Sequence, residues 1–93
     1  MSLLLKDPDA LLDYQVDWGA EYLNGDALAR SRWTVSPDEP LGIRVVEEAF
    51  DLLTATVKVD GGEAGKLYRL ANHVVTVGGR EDCRSIILRV EDR

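Results

Sequence analysis

The chain contains one histidine and one cysteine, and these are the side chains best suited to nucleophilic chemistry. His73 and Cys83 flank the Gly78-Gly79 pair, which is typical of a tight hairpin turn. Such a hairpin would place the two residues opposite one another on neighbouring strands. A cysteine beside a histidine base is a candidate catalytic dyad. In the middle of a paired sheet with no cleft, ordinary cross-strand neighbours are the favoured interpretation, and we expect no catalytic residue.

The chain offers too few ligands of the usual types for a structural zinc site. Such sites use four Cys or His side chains, and only two are present. Carboxylates are abundant between Asp7 and Asp17, where a calcium site stays an alternative because calcium prefers oxygen ligands. EF-hand spacing is absent there, and a solvated acidic face is the favoured interpretation. We therefore expect no metal ion and no cofactor.

Two glycine pairs raise the question of a phosphate-binding loop. A phosphate cradle requires a helix whose N-terminus follows the loop, whereas strands are predicted after both Gly61-Gly62 and Gly78-Gly79. The first pair, with Gly65 nearby, predicts a turn that needs positive φ at one or more positions. Both pairs are interpreted as tight turns.

Charge is distributed unevenly along the 93 residues, whose net charge is −6. Residues 1–50 carry ten acidic side chains against four basic ones, and residues 51–93 carry seven of each. Because the chain has no basic cluster and would repel phosphate, nucleic acid is not expected as a partner. The longest aliphatic run, Leu3 to Leu5, is far shorter than the ~18 apolar residues of a membrane-spanning helix, so no membrane contact is expected either.

Alternation of apolar and polar residues predicts strands along most of the chain. The first alternating segment covers residues 12–18, where a helix would instead stack acidic side chains four residues apart. The clearest strand covers residues 53–59, and a shorter one over residues 42–46 is expected to end at Glu47 and Glu48. In total, about six or seven short strands are separated by Gly, Pro, Asn and Asp, with no convincing helix.

This pattern predicts one all-β domain over residues 1–93, with residues 1–11 as an N-terminal arm. The favoured fold is an antiparallel β-sandwich of about six or seven strands, with a small barrel as the alternative. Tyr68 opens a strand after a glycine-rich loop, the position of the tyrosine corner in immunoglobulin-like sandwiches. The residues expected to fill the core are Trp18, Trp33, Val57, Tyr68, Leu70, Val74, Leu88 and Val90.

The candidate interface residues are Leu3, Leu4, Leu5 and Asp7, close to the N-terminus. Three consecutive leucines cannot all point to one side of an extended chain. At least one of them therefore faces water unless something covers it. One interpretation folds the arm over the open end of the sandwich, and the functional alternative is docking onto another subunit.

Short motifs spread over nearly the whole chain form an ordered set. They are Lys6-Asp7-Pro8-Asp9, Leu12-Asp13-Tyr14, Val16-Asp17-Trp18, Gly25-Asp26, Ser31-Arg32-Trp33-Thr34-Val35, Ala55-Thr56-Val57, Gly61-Gly62, Ala64-Gly65, Tyr68, Asn72, Val74, Thr76-Val77-Gly78-Gly79-Arg80 and Leu88-Arg89-Val90. In order and spacing they resemble the phage fibre-tail adaptor family, which are small tail structural proteins of tailed phages and prophages. The resemblance implies a non-enzymatic virion component with an immunoglobulin-like β fold that helps to attach fibres to the tail.

Two hypotheses about function follow. The first is a phage or prophage tail protein that acts by protein–protein assembly with other tail or fibre subunits. Under this hypothesis, copies of the chain could also form a homo-oligomeric ring in the virion. The resemblance places such a protein in the virion after assembly in the bacterial cytoplasm. The alternative is a stand-alone immunoglobulin-like module that binds a carbohydrate or peptide through its loops.

Overall fold

The computed structural model describes residues 2–20 and 22–91, with side chains from residue 4 onward. The strands are β1 (Ser2–Lys6), β2 (Leu12–Asp17), β3 (Leu28–Ser36), β4 (Ile43–Phe50), β5 (Thr54–Gly61), β6 (Leu67–Thr76) and β7 (Glu81–Val90). No helix occurs in these two ranges. The all-β prediction is therefore confirmed, at the upper end of the expected number of strands.

The seven strands form two sheets. Sheet A has the order β1-β7-β6-β3, and sheet B has the order β2-β5-β4. All neighbouring strands are antiparallel except β1, which runs parallel to β7. Strands β2, β5 and β4 correspond to B, E and D of an immunoglobulin-like sandwich, and β3, β6 and β7 to C, F and G. The sandwich is thus confirmed over the barrel.

The core lies between the two sheets and contains the predicted residues. All eight residues expected there are buried, and the most exposed of them, Trp33, keeps only 6% of its surface accessible. Burying a large apolar side chain of this kind contributes roughly 1.5–3 kcal/mol, so the inward-facing alternation accounts for much of the stability. Leu23 and Leu28 are also buried, although they lie in and next to the β2–β3 connection rather than in an alternating run.

One local prediction, the end of β4, was wrong. Strand β4 does not end at Glu47 and Glu48 but continues to Phe50. A bulge between Val45 and Glu47 lets this edge strand continue, and Glu47 then faces solvent and pairs with Lys58 at 3.4 Å. The tight hairpin turn predicted at Gly78-Gly79 does join β6 and β7, and its loop comprises residues 77–80.

The tyrosine corner at Tyr68 is confirmed. Its hydroxyl accepts the Glu63 N–H at 3.0 Å and donates to the Glu39 carboxylate at 3.1 Å, while the residue is only 1% exposed. Lys66 Nζ donates to the same carboxylate at 3.1 Å. Hydrogen bonds from Lys66 and then Tyr68 hold the pKa of Glu39 below its usual value. These contacts tie the β3–β4 connection to the β5–β6 connection at one end of the sandwich.

Asp26 fastens the loops at the opposite end. Its carboxylate accepts the N–H groups of Ala27 at 2.8 Å and Gly78 at 3.0 Å, and the Arg80 guanidinium lies at 3.3 Å. Hydrogen bonds, from the Thr76 hydroxyl first and then from these groups, lower the pKa of Asp26 from 3.8 to about 2. The β2–β3 connection is thereby joined to the β6–β7 hairpin.

This depressed pKa predicts an acid-sensitive contribution to stability from Asp26. Because the folded state prefers the carboxylate, the contribution is present above pH 3.8 and is lost as the pH falls toward about 2. Asp26→Asn should lower the free energy of unfolding at neutral pH and flatten its decline over this interval. Urea unfolding of both proteins across the interval measures the difference. Asp38→Asn, at an exposed loop carboxylate, is the control, and an unchanged slope in Asp26→Asn would contradict the prediction.

Candidate partner-binding surface

Residues 2–6, which the sequence analysis assigned to an N-terminal arm, form the edge strand β1. In its register with β7, Leu4 lies beside Leu88 and Leu5 beside Arg89. Leu4 is partly buried and packs against the core, whereas Leu5 is 45% exposed on the outer face of sheet A. The side chain of Leu3 lies outside the described part of the chain. Of the candidate leucines whose side chains are described, Leu5 is therefore the exposed one.

Asp7 lies in the turn that follows β1. Its Oδ1 accepts the Asp9 N–H at 2.8 Å, and its carbonyl accepts the Ala10 N–H at 3.1 Å. The carboxylate thus closes a local turn, as aspartate often does. Of these two candidate interface residues, Leu5 therefore lies on β1 and Asp7 in the turn that follows it.

Lys6 anchors the end of β1, a role that the sequence analysis missed. Only 2% of this lysine is exposed, and its Nζ donates to the carbonyls of Gly61 at 2.8 Å and Asp7 at 2.9 Å. Burial lowers the pKa of Lys6, against the opposing effect of nearby Asp60. Its alternation with Leu4 is the sequence signal for this inward position. The anchor ties the edge strand to the end of β5.

Large apolar side chains are exposed mainly at the two ends of the sandwich. The N-terminal end, with the β1–β2, β3–β4 and β5–β6 connections, presents Leu5, Leu11, Leu41 and Leu67. The hairpin end, with the β4–β5 and β6–β7 connections, presents Phe50, Leu52, Leu53 and Val77. Among the described side chains, Val46 at the β4 bulge is the one other large apolar residue that is clearly exposed. The molecule is 42 Å long and about half as wide, so the two ends are well separated.

The loops that carry the exposed residues of the hairpin end are held by backbone hydrogen bonds. The Leu28 N–H donates to the Leu52 carbonyl at 2.9 Å, and the Val77 N–H donates to the Ala27 carbonyl at 2.8 Å. The β4–β5 and β6–β7 connections are therefore both hydrogen-bonded to the short segment formed by Ala27 and Leu28. Loops fixed on a rigid scaffold in this way are typical positions for binding residues.

His73 and Cys83 are direct cross-strand partners on the outer face of sheet A, as predicted. The Cys83 Sγ lies 3.9 Å from the His73 Nε2, and the Thr34 Oγ1 lies 3.3 Å from the same nitrogen. The thiol is exposed in a broad open groove that Phe50 also lines. The pair can interact, and it lies on a solvent-exposed surface of the sheet.

The acidic residues considered for calcium lie apart. Asp7 and Asp9 are in the β1–β2 turn, and Asp13 and Asp17 project from β2. Within the described ranges, no three His, Cys, Asp or Glu side chains are arranged to hold a metal ion. Residues 2–20 and 22–91 likewise contain no helix able to span a membrane.

A two-sheet sandwich with exposed apolar ends has the features of a structural protein that binds partners through its surface. A family model described as "Podophage GP4 fiber-tail adaptor protein gp77" matches residues 6–89, from the end of β1 almost to the end of β7. The chain therefore belongs to this family and is a structural component of the phage tail. The resemblance seen in the sequence motifs is confirmed. No curated protein matches the chain.

Proposed function

We propose that this chain is a non-enzymatic adaptor that joins two components of the phage tail through its opposite ends. The observation that carries the proposal is the position of the exposed apolar residues, four at each end of a 42 Å molecule. An adaptor must hold two partners at once, and well-separated apolar surfaces allow this without steric conflict. Exposed apolar patches of this kind are typical of protein–protein contact sites.

The N-terminal end is the proposed contact for one tail or fibre subunit. Leu5 is 45% exposed beside Arg89 on sheet A, and Leu67 lies on the other side of Arg89. The Lys6 anchor and the tyrosine corner hold this end in one conformation. A preorganised surface loses less conformational entropy on binding. The hairpin end is the proposed contact for the second component. We propose that this assembly takes place in the bacterial cytoplasm and that the protein is then part of the virion.

Single substitutions at each end test this arrangement. Leu5→Ser should weaken attachment to one tail component, and Leu52→Ser should weaken attachment to a different one, each by roughly tenfold because a buried leucine is lost from the contact. Tails assembled with each variant are purified, and their subunit content is measured by quantitative mass spectrometry. Val46→Ser removes an exposed apolar residue between the two ends and is the matched control.

The outcomes separate the proposal from its alternative. Loss of the same component in both variants, or normal tails in both, would overturn the two-ended adaptor. A stand-alone module for carbohydrate or peptide would be absent from wild-type tails altogether. A change in Val46→Ser equal to that in Leu5→Ser would show that the effect does not depend on the ends.

A ring of identical copies extends the proposal. Small tail proteins that bridge larger components can do so as symmetric assemblies, in which one interface is repeated between neighbours. The two apolar ends lie along the long axis of the molecule. Contacts between copies would therefore use the sides of the sandwich and leave both ends free.

A further inference from the structure

The outer face of sheet A is rich in arginine. Arg30 and Arg32 lie on β3, Arg69 on β6 and Arg89 on β7, and all four are exposed. The register places Arg32 beside the outward-facing His73, and Arg69 beside Ile87. We call this surface the arginine face.

Most of these arginines have no carboxylate partner within the chain. Arg89 pairs with Glu91 at 2.8 Å, whereas among the described residues no carboxylate oxygen lies within 4.0 Å of the guanidinium groups of Arg30, Arg32 and Arg69. Glu81, beside the outward-facing Val75, is the acidic residue at the hairpin end of this face. The middle of the arginine face is therefore positively charged and open to a partner.

The outer face of sheet B has the opposite character. Asp13 and Asp17 project from β2, Glu47 from β4 and Asp60 from β5. The ion pairs of this face, which we call the acidic face, are Lys58–Glu47 and Arg44–Asp60, at 3.4 and 3.1 Å.

The remaining carboxylates of the acidic face are free of such pairs. No Lys or Arg nitrogen among the described residues lies within 4.0 Å of the carboxylates of Asp13 and Asp17, although Asp13 is beside Lys58 in the register of β2 with β5. Asp13 and Glu47 also line an open groove of about 330 Å³ across this sheet. The two broad sides of one sandwich therefore carry complementary charge.

We propose that the arginine face of one copy docks onto the acidic face of a second copy of this chain. The inference deepens the proposed ring, on which it rests, by naming the two surfaces that meet. Since the surfaces are different and lie on opposite sides of the sandwich, the contact is head-to-tail and repeats from copy to copy. Opposite charge favours this orientation and disfavours pairing of like faces. Arg89 lies between Leu5 and Leu67 at the edge of the arginine face, so the contact is centred on Arg30 and Arg32.

Two double variants test the contact on the full chain. Arg30→Glu with Arg32→Glu reverses the arginine face, and Asp13→Arg with Asp17→Arg reverses the acidic face. Asp9→Arg with Asp38→Arg is the control for the acidic-face variant, because it makes the same change in net charge as that variant at exposed positions outside both faces. Sedimentation velocity measures association in roughly 20 mM and roughly 500 mM sodium chloride, and circular dichroism confirms folding.

The wild-type and control proteins should associate at low salt and dissociate at high salt. Each reversed variant alone should associate at least about tenfold more weakly, since like charges then face each other. An equimolar mixture of the two reversed variants should recover assembly, because each reversed face meets the complementary face of the other variant. This recovery requires both variants to be folded.

Some results would overturn the proposal. The proposal would be overturned if the wild-type protein stayed monomeric at high concentration in low salt. It would also be overturned if the mixture of reversed variants associated no better than either variant alone. Because this experiment contains no other tail protein, its failure would leave the Leu5 and Leu52 results intact. Failure of those tail experiments would in turn leave the measured self-association unaffected.

Discussion

Replacing Asn72 with leucine should destabilise the fold by about 2–5 kcal/mol, although the two side chains are similar in size. Asn72 is fully buried, and its Oδ1 accepts the Trp18 Nε1–H at 2.8 Å. Its Nδ2 donates to the Ser31 Oγ at 2.9 Å and to the Arg32 carbonyl at 3.1 Å. One amide thus connects β6, β3 and the end of β2. Leucine would leave the indole N–H and the Arg32 carbonyl without this partner in a dry core.

A double-mutant cycle separates this hydrogen bond from packing. Trp18→Phe alone leaves the Asn72 Oδ1 unpaired, and Asn72→Leu alone leaves the indole N–H unpaired. In the double variant neither polar atom remains, so its loss of stability should be smaller than the sum of the single losses by about 1–3 kcal/mol. Guanidinium unfolding of the four proteins measures this coupling. Strict additivity would show that the Trp18–Asn72 bond contributes no coupling energy.

The sequence predicted the core because burial follows a local pattern. In β5, the alternation of Ala55, Val57 and Val59 with polar residues is decided by neighbours two positions away, and all three residues are buried. The tyrosine corner was also predictable, since Tyr68 and the preceding glycine-rich loop are close in sequence. Features of this kind do not depend on which strands pair.

Features that depend on distant pairing were not predictable. The parallel register of β1 with β7 joins residues more than eighty positions apart, and nothing local in the leucines specifies it. The buried position of Lys6 depends on the Gly61 carbonyl, which becomes available only once β1 and β5 are in place. The sequence therefore pointed to the N-terminal leucines as unusual but could not show that Leu4 packs inward and Leu5 outward.

The distribution of charge over the folded surface was likewise not predictable from the sequence. Divided along the chain, the acidity belongs to residues 1–50, and this half contains Arg30 and Arg32. In the folded molecule these arginines join Arg69 and Arg89 on sheet A, while Asp13 and Asp17 project from the opposite side. The folded arrangement converts an imbalance between two halves into an asymmetry between two faces. Only an asymmetry between two faces can orient one copy of the chain against another.

The glycines at the N-terminal end provide the second large expected effect. Gly61 has φ of 78°, and a Cβ added there would lie 2.7 Å from the Gly42 carbonyl oxygen. Gly65 has φ of 88°, and a Cβ added there would meet no atom within 4 Å. Gly65→Ala should therefore cost about 1–2 kcal/mol from backbone conformation alone. Gly61→Ala should cost roughly 2–5 kcal/mol, because the clash with the backbone is added.

The difference between these two variants isolates the close approach of β5 to the β3–β4 connection. The Gly61 carbonyl also accepts the Lys6 Nζ, so a displaced backbone at Gly61 should loosen the end of β1. Amide hydrogen exchange should then accelerate in β1 of Gly61→Ala and stay near wild-type values there in Gly65→Ala, while urea unfolding measures the two losses of stability. Equal losses in both variants would mean that the Gly42 contact relaxes without cost. In that case the N-terminal end would be more adaptable than a preorganised docking surface requires.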